Sequence, residues 1–469
     1  MLRYAAMILQ KQEELSHMNK SRIAVIALVA LIILCGAVRP DRLIALAAGA
    51  VSQNVCSGTF VSGLSPETVY DQEMRAEGGM SLINWALVYQ VDQSERTVTT
   101  TVFGRFKTRS RFHEGSGCRI EHPGEIPLGT LSKTAVVPHL PDIAGAEPVA
   151  PVNPKLAEAM SEAFADNKNG APRFTRAVVV VRQGRIVGER YSPGIGLDTP
   201  LISHSIAKSV LNAMIGILVR DGKMQIDQKV SASAWKTPVT VDQLLRMDGG
   251  LPVDEGRGPG LAQRMWFLER DQAAFAQSTP LDTDPETKWA YSNLSYAVLS
   301  RLVRDATGGS PETVSSYMQR ELFGPLGMRN ATMEFDSTGS PMGSNAMFAS
   351  ARDWARFGLL YLNDGMAGKK RILPEGWVSY SKRRTLDSGY GAGFWLNQTD
   401  SPIPGWGTPW GIPGAPRDAY MARGYLGQYI VIVPSESLVV VRLGVDRARG
   451  SGIDGIGSLV QSVIAALHR

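Results

Sequence analysis

Ser205 and Lys208 stand three residues apart at the head of LISHSIAKSVLNAMIGIL, Leu201 to Leu218. Residues at i and i+3 share a helix face, so the Lys208 side chain reaches the Ser205 hydroxyl if the segment is helical. The apolar run that follows predicts a buried helix over Ser205–Arg220. Burial and the positive end of the helix dipole both push a lysine toward its neutral amine. Such an amine accepts a serine proton, and the free N–H groups of the first turn hold an oxyanion. The chemistry this offers is nucleophilic acyl transfer. The plain alternative is a capped helix whose lysine extends to solvent.

Context separates this pair from its look-alikes. Ser233/Lys236 falls among loop residues beside Trp235 and Pro238, and Ser379/Lys382 belongs to the polar stretch SYSKRR. A histidine base is a poor candidate. Of the six histidines, only His204 falls within the body of the segment that follows Lys155, and its side chain should diverge from that of its neighbour Ser205. No G-x-S-x-G turn surrounds Ser205 either. The proton therefore falls to lysine or tyrosine. KWAYSNLSYAVLS puts Tyr291 and Asn293 just ahead of a helical pattern, where a phenol can point into a cleft. A phenolate beside Lys208 would be stabilised by its charge, so the two could share the role of base. The second Y-x-N, Tyr361 to Asn363, lies inside a helical run and reads as packing.

The elements that must position these groups are legible in outline. RAVVVVRQGRIVGERY, Arg176 to Tyr191, is two β-branched runs about Gln183-Gly184, a hairpin signal. GQYIVIVPSESLVVVRLGV, Gly427 to Val445, repeats the pattern near the end, and a closing helix spans Gly455–His468. Helical patterns fill the interval at Val241–Met247, Tyr296–Thr307, Pro311–Leu322 and Ala351–Asn363. Strands from both ends with helices between them predict an α+β sandwich: an antiparallel sheet covered by helices, beside an all-helical lobe.

Ahead of this lies a divided amino terminus. Lys20 and Arg22 precede an uncharged run from Ile23 to Val38, which would span about 24 Å as a helix. That order resembles a signal or signal anchor. ALAAGA, Ala45 to Ala50, is a small-residue cleavage signal, but Arg39, Asp41 and Arg42 separate it from the apolar run. The reading is a leader over 1–22, a transmembrane anchor or signal over 23–38, a small mixed segment over 39–130, a Pro-rich linker or strap over 131–154, and a large domain over 155–469. The bulk is expected on the periplasmic side of the inner membrane, held by a single-pass anchor, with secretion after cleavage as the alternative. Outside the cytoplasm Cys56 and Cys118 can pair; otherwise they are two buried thiols.

The net charge of +5, from 49 basic against 44 acidic residues, is spread along the chain and gives no nucleic-acid footprint. No C-x-x-C or Cys/His cluster suggests a metal site.

The order S-x-x-K, Y-x-N about 85 residues on, and a Gly-rich strand near the end resembles the serine β-lactamase and penicillin-binding superfamily. VTVDQLLRMDGGL, LFGPLGM, SARDWARFGLLYLNDG and YGAGFW extend the resemblance over about residues 170–465. The tyrosine variant is similar to class C β-lactamases, family VIII-type esterases and 6-aminohexanoate-dimer hydrolase. The resemblance implies Ser205 as nucleophile, Lys208 as its base and Tyr291 as the acid/base serving the leaving group. Asn293 would bond substrate or Lys208. ARGYLGQ, Ala422 to Gln428, takes the place of the usual K-T-G or H-x-G box, with Ala422 where the cation stands. Gly424 would let the strand approach a ligand, and the Tyr425 N–H would join that of Ser205 in an oxyanion hole. Alternation along the strand predicts an outward-facing Arg423. The function implied is hydrolysis of a small ester or amide without a cofactor. A D,D-peptidase or weak β-lactamase, or a catalytically silent binding module, is the alternative.

Overall fold

The structure is a computed structural model that describes residues 39–131, 136–167, 170–254, 260–398, 401–403 and 406–468. The expected leader and the 23–38 run lie outside the described residues. A six-stranded sheet organises the large domain. Its order is Trp395–Leu396, Tyr420–Gly424, Gln428–Val433, Leu438–Asp446, Arg173–Arg182, Arg185–Tyr191, and every neighbouring pair is antiparallel. The hairpin forms where the sequence places it. Gln183 (φ 50°) and Gly184 (φ 77°) both take positive φ, the two-residue turn that matches strand twist.

The sheet is covered on both faces, as the α+β reading requires. Val178 to Val181 are fully buried, because a central strand between two helical layers has no solvent face. Helix Ala351–Leu362 packs on one face against Gln428–Val433 and Leu438–Asp446. Helices Pro154–Glu162 and Arg449–Leu467 pack on each other and touch the sheet. The helical lobe comprises Val241–Arg246, Leu261–Leu268, Gln272–Ser278, Asn293–Ala306 and Pro311–Met318. The second and third of these were not legible in the sequence.

The Pro-rich stretch behaves as a strap. Ile186 N donates to Ile143 O, Val152 N to Val187 O and Glu189 N to Val149 O, so the strap satisfies the outer strand's free edge.

The amino-terminal unit combines a helix with a sheet. It opens with a 21-residue helix, Pro40–Phe60, laid on a four-stranded antiparallel sheet of Leu87–Asp92, Thr97–Val102, Phe106–His113 and Gly117–Ile120. The small residues of ALAAGA serve packing there: Ala47, Ala48 and Ala50 are buried, and Gly49 abuts Phe267 of the helical lobe. The helix is long and apolar enough to cross a membrane, with a mean hydropathy of 1.3, yet 61% of that stretch is buried in the protein. Cys56 on this helix and Cys118 on the last strand form a disulfide across a Cα–Cα distance of 6.0 Å.

Candidate active site

Strand Leu201–Ile202 feeds a single turn at His204–Ile206 and then helix Ala207–Arg220. Ser205 lies in that turn and Lys208 in the first turn of the helix. Lys208 is buried, 1% exposed, and its Nζ meets three oxygens: Ser205 Oγ at 2.9 Å, Asn293 Oδ1 at 2.6 Å and the Ser344 carbonyl at 2.6 Å. A protonated lysine donates to all three. A neutral amine has two hydrogens and one lone pair. In that form, hydrogens given to Asn293 and Ser344 would let the amine accept from the Ser205 hydroxyl.

Asn293 is the first residue of helix Asn293–Ala306, with Ser292 as its cap. Its amide is oriented by Asp254, a buried carboxylate. Asn293 Nδ2 donates to Asp254 Oδ1 at 3.0 Å, and the backbone N–H of Leu294 donates to Oδ2 at 3.0 Å. Asp254 thereby caps a helix end from a distant loop, where negative charge is favourable. Sequence reasoning missed it, since nothing in its local spacing links it to Asn293. Ser344 was missed for a different reason: it contributes a backbone carbonyl, which every residue type carries. Its hydroxyl accepts from Trp266 Nε1 at 2.9 Å.

Tyr291 is 3% exposed, and its ring centroid lies 5.1 Å from Lys208 Nζ. The ring stacks on Trp395 at 5.5 Å and meets Trp406 edge-on at 5.4 Å. Trp289, Tyr390 and Trp410 complete an aromatic wall that the sequence did not reveal, because its members come from separate segments.

Gly424 ends its strand directly against the turn. A Cβ there would sit 2.2 Å from the Ser203 carbonyl oxygen, so only glycine allows this approach. Tyr425 follows, its side chain half exposed and its hydroxyl 3.1 Å from Glu77 of the amino-terminal unit. Arg423 departs from expectation. It does not face outward; it is 7% exposed, its guanidinium lies over Trp395 and it donates to the Gly450 carbonyl. The carboxy-terminal helix covers that face of the strand, so alternation does not lead to solvent. His204 packs edge-on against Tyr425, and burial pushes its imidazole down to about 4, leaving it neutral near pH 7. Tyr361 is core, its hydroxyl bonded to Asn212 Oδ1. Among the described residues, no three of His, Cys, Asp and Glu gather as a metal site.

Comparisons with known proteins agree with this architecture. A profile of the family described as Beta-lactamase matches residues 168–446. The 6-aminohexanoate-dimer hydrolase of Paenarthrobacter ureafaciens is 25% identical over 346 residues, covering 67% of this chain and 83% of its own length. Among solved structures, EstCE1, a hydrolase with promiscuous acyltransferase activity, matches with a TM-score of 0.53 at 14% identity, covering 66% of this chain and 98% of its own. A penicillin-binding protein homolog from Caulobacter crescentus matches with a TM-score of 0.51 at 15% identity, covering 70% and 100%. At those identities the two structures speak for the fold alone. With the matched residues making up more than half of its length, the chain belongs to the beta-lactamase family, a family of serine hydrolases.

Proposed function

We propose that the protein hydrolyses small esters or amides through an acyl-enzyme on Ser205. The observation that carries this reading is the 2.9 Å approach of buried Lys208 Nζ to the Ser205 hydroxyl, with Asn293 Oδ1 and the Ser344 carbonyl positioning the amine. Ser205 Oγ attacks the substrate carbonyl as its proton passes to Lys208. The N–H groups of Ser205 and Tyr425 stabilise the oxyanion. Collapse of the tetrahedral intermediate expels the alcohol or amine, which takes the proton held by Lys208 by way of Tyr291, and leaves an ester on Ser205. Water then adds to that ester, giving up a proton to Lys208, and that proton returns to Ser205 Oγ as the acid is released. The aromatic wall beside Tyr291 favours apolar acyl or leaving groups. The similarity to 6-aminohexanoate-dimer hydrolase supports a linear amide as one substrate class. Ala422, buried and uncharged, argues against the D,D-peptidase or β-lactamase alternative.

A fluorophosphonate probe tests the mechanism. It labels the protein, and Ser205→Ala abolishes labelling; equal labelling of the variant overturns the assignment, and an unlabelled native protein supports the silent binding module. Hydrolysis of a p-nitrophenyl ester or linear amide without nitrocefin turnover supports the substrate class, and the reverse pattern supports a β-lactamase. We further propose that residues 23–38 anchor the chain with its bulk on the periplasmic side. A reporter joined after His468 would then be active only outside the cytoplasm.

A further inference from the structure

The amino-terminal unit carries large apolar side chains that the rest of the fold leaves uncovered. Leu82, Trp85, Val88 and Phe103 are 76%, 77%, 59% and 46% exposed. They form one surface. Trp85 and Phe103 meet edge-on at 5.3 Å, and Leu87 pairs with Val102, so Val88 and the Phe103 turn share one end of the sheet. Trp85 Nε1 already donates to the Leu82 carbonyl, which leaves the indole's apolar body outward.

Two features suit this surface to an interface between water and lipid. The outward positions of strand Leu87–Asp92 run Val88, Gln90, Asp92, so the strand becomes polar with distance from the patch. Phe103 sits at φ 53° in the turn, a conformation that small polar residues or glycine occupy at less cost. A bulky aromatic is held there and pointed outward despite the strain.

The direction of the chain says which surface the patch meets. Phe60 packs against Phe112 with the rings tilted, while Ser52 bonds Ser110 and the Val98 carbonyl. Followed backwards, helix Pro40–Phe60 therefore runs along strand Phe106–His113 toward the Phe103 turn. Its first residues, Arg39 to Leu43, are exposed, and the uncharged run Ile23–Val38 ends immediately before them. Arg39, Arg42, Arg105 and Lys107 are all exposed at this end, against Asp41. Aromatic side chains flanked by basic ones fit the headgroup layer of an anionic bilayer.

We propose that Leu82, Trp85, Val88 and Phe103 insert into the surface of an anionic phospholipid membrane, a second contact that fixes the orientation of the catalytic domain above it. The proposal rests on the anchored reading of residues 23–38 and is independent of the hydrolase chemistry.

The test uses the full chain in vesicles of phosphatidylethanolamine and phosphatidylglycerol. Cys35→Ser leaves no thiol outside the disulfide. Trp85→Cys, Phe103→Cys or Gln93→Cys then carries a bimane label, Gln93 being exposed at the opposite end of the sheet. Flotation is read first, then quenching by a lipid-borne nitroxide and by aqueous iodide. The expected result is flotation with lipid quenching several-fold stronger at positions 85 and 103 than at 93. Flotation with equal iodide access at all three positions overturns the patch but not the anchor. Flotation with positions 85 and 103 shielded from both quenchers overturns lipid as the occupant, in favour of a second copy or residues of this chain. Failure to float overturns the membrane placement itself. Fluorophosphonate labelling of the same samples reports on the hydrolase reading separately.

Discussion

Asp254 accepts a hydrogen bond from Asn293 Nδ2 at 3.0 Å, and this contact decides which end of the Asn293 amide meets Lys208. With the NH2 group held by a carboxylate, only Oδ1 is left for the lysine. Asp254→Asn removes that bias. Asn293 can then turn its NH2 toward Lys208, which disfavours the protonated lysine and occupies the lone pair meant for Ser205. The expected outcome is a fall in kcat of about 10- to 100-fold, the scale of one misdirected buried hydrogen bond, with KM little changed. The acidic limb of kcat/KM moves to lower pH. An unchanged plateau and limb would remove Asp254 from the argument.

Gly424→Ala places a methyl group 2.2 Å from the Ser203 carbonyl, two residues before Ser205. Backbone cannot yield as a flexible side chain does. The strand and the Ser205 turn are therefore pushed apart, at a stability cost of about 1–3 kcal/mol. Probe labelling of Ser205 should slow well beyond what that loss explains. Labelling at the native rate would show that the strand end does not set the geometry of the turn.

Glu334 ties the two units together. Its carboxylate is 1% exposed and accepts from Cys118 N, Ser57 Oγ and Gln53 Nε2, and burial pushes it up to about 7. A carboxyl whose folded pKa is raised contributes stability below its unfolded value, near 4.5, and loses it as pH rises through 7. Between pH 5 and 8 the loss is about 2 kcal/mol. Denaturant unfolding across that window should show the native protein weakening more than Glu334→Gln, which titrates nowhere in it. Parallel curves for the two proteins would contradict the shift.

The Cys56–Cys118 bridge closes a separation of 62 residues. A loop of that length restrains the unfolded chain by about 4 kcal/mol on the chain-entropy estimate. Paired Cys56→Ser and Cys118→Ser substitutions should lower the midpoint of unfolding and expose the amino-terminal unit to protease first. A midpoint unchanged by the double substitution or by reductant would count against the bridge as a stabilising element.

What could be read from the chain alone divides along physical lines. The Ser205–Lys208 spacing, the Tyr291–Asn293 pair and the Gln183-Gly184 turn are local patterns, and local patterns survive in a linear string. Asp254, the Ser344 carbonyl and the Trp395–Trp406 wall come from distant segments, and only the fold brings them to Lys208. Arg423 illustrates a rule that holds locally and fails globally: the strand does alternate, but a helix covers its far side. Helix Pro40–Phe60 was obscured because its alanines and glycines also compose a cleavage signal, and composition alone does not separate a buried helix from an export signal.

Helix Leu261–Leu268 has two neighbours of different origin. Phe267 packs into the amino-terminal core and touches Gly49, while the adjacent Trp266 holds the residue whose carbonyl takes a hydrogen of Lys208. Residues 39–131 are thus not a detachable extension of the hydrolase domain. Trimming the chain back to the family match at residue 168 would strip one flank from the support of Lys208, together with the strap and helix Pro154–Glu162 that cover the sheet, so an expression boundary set at the match would leave both the sheet and the Ser205–Lys208 pair short of their packing.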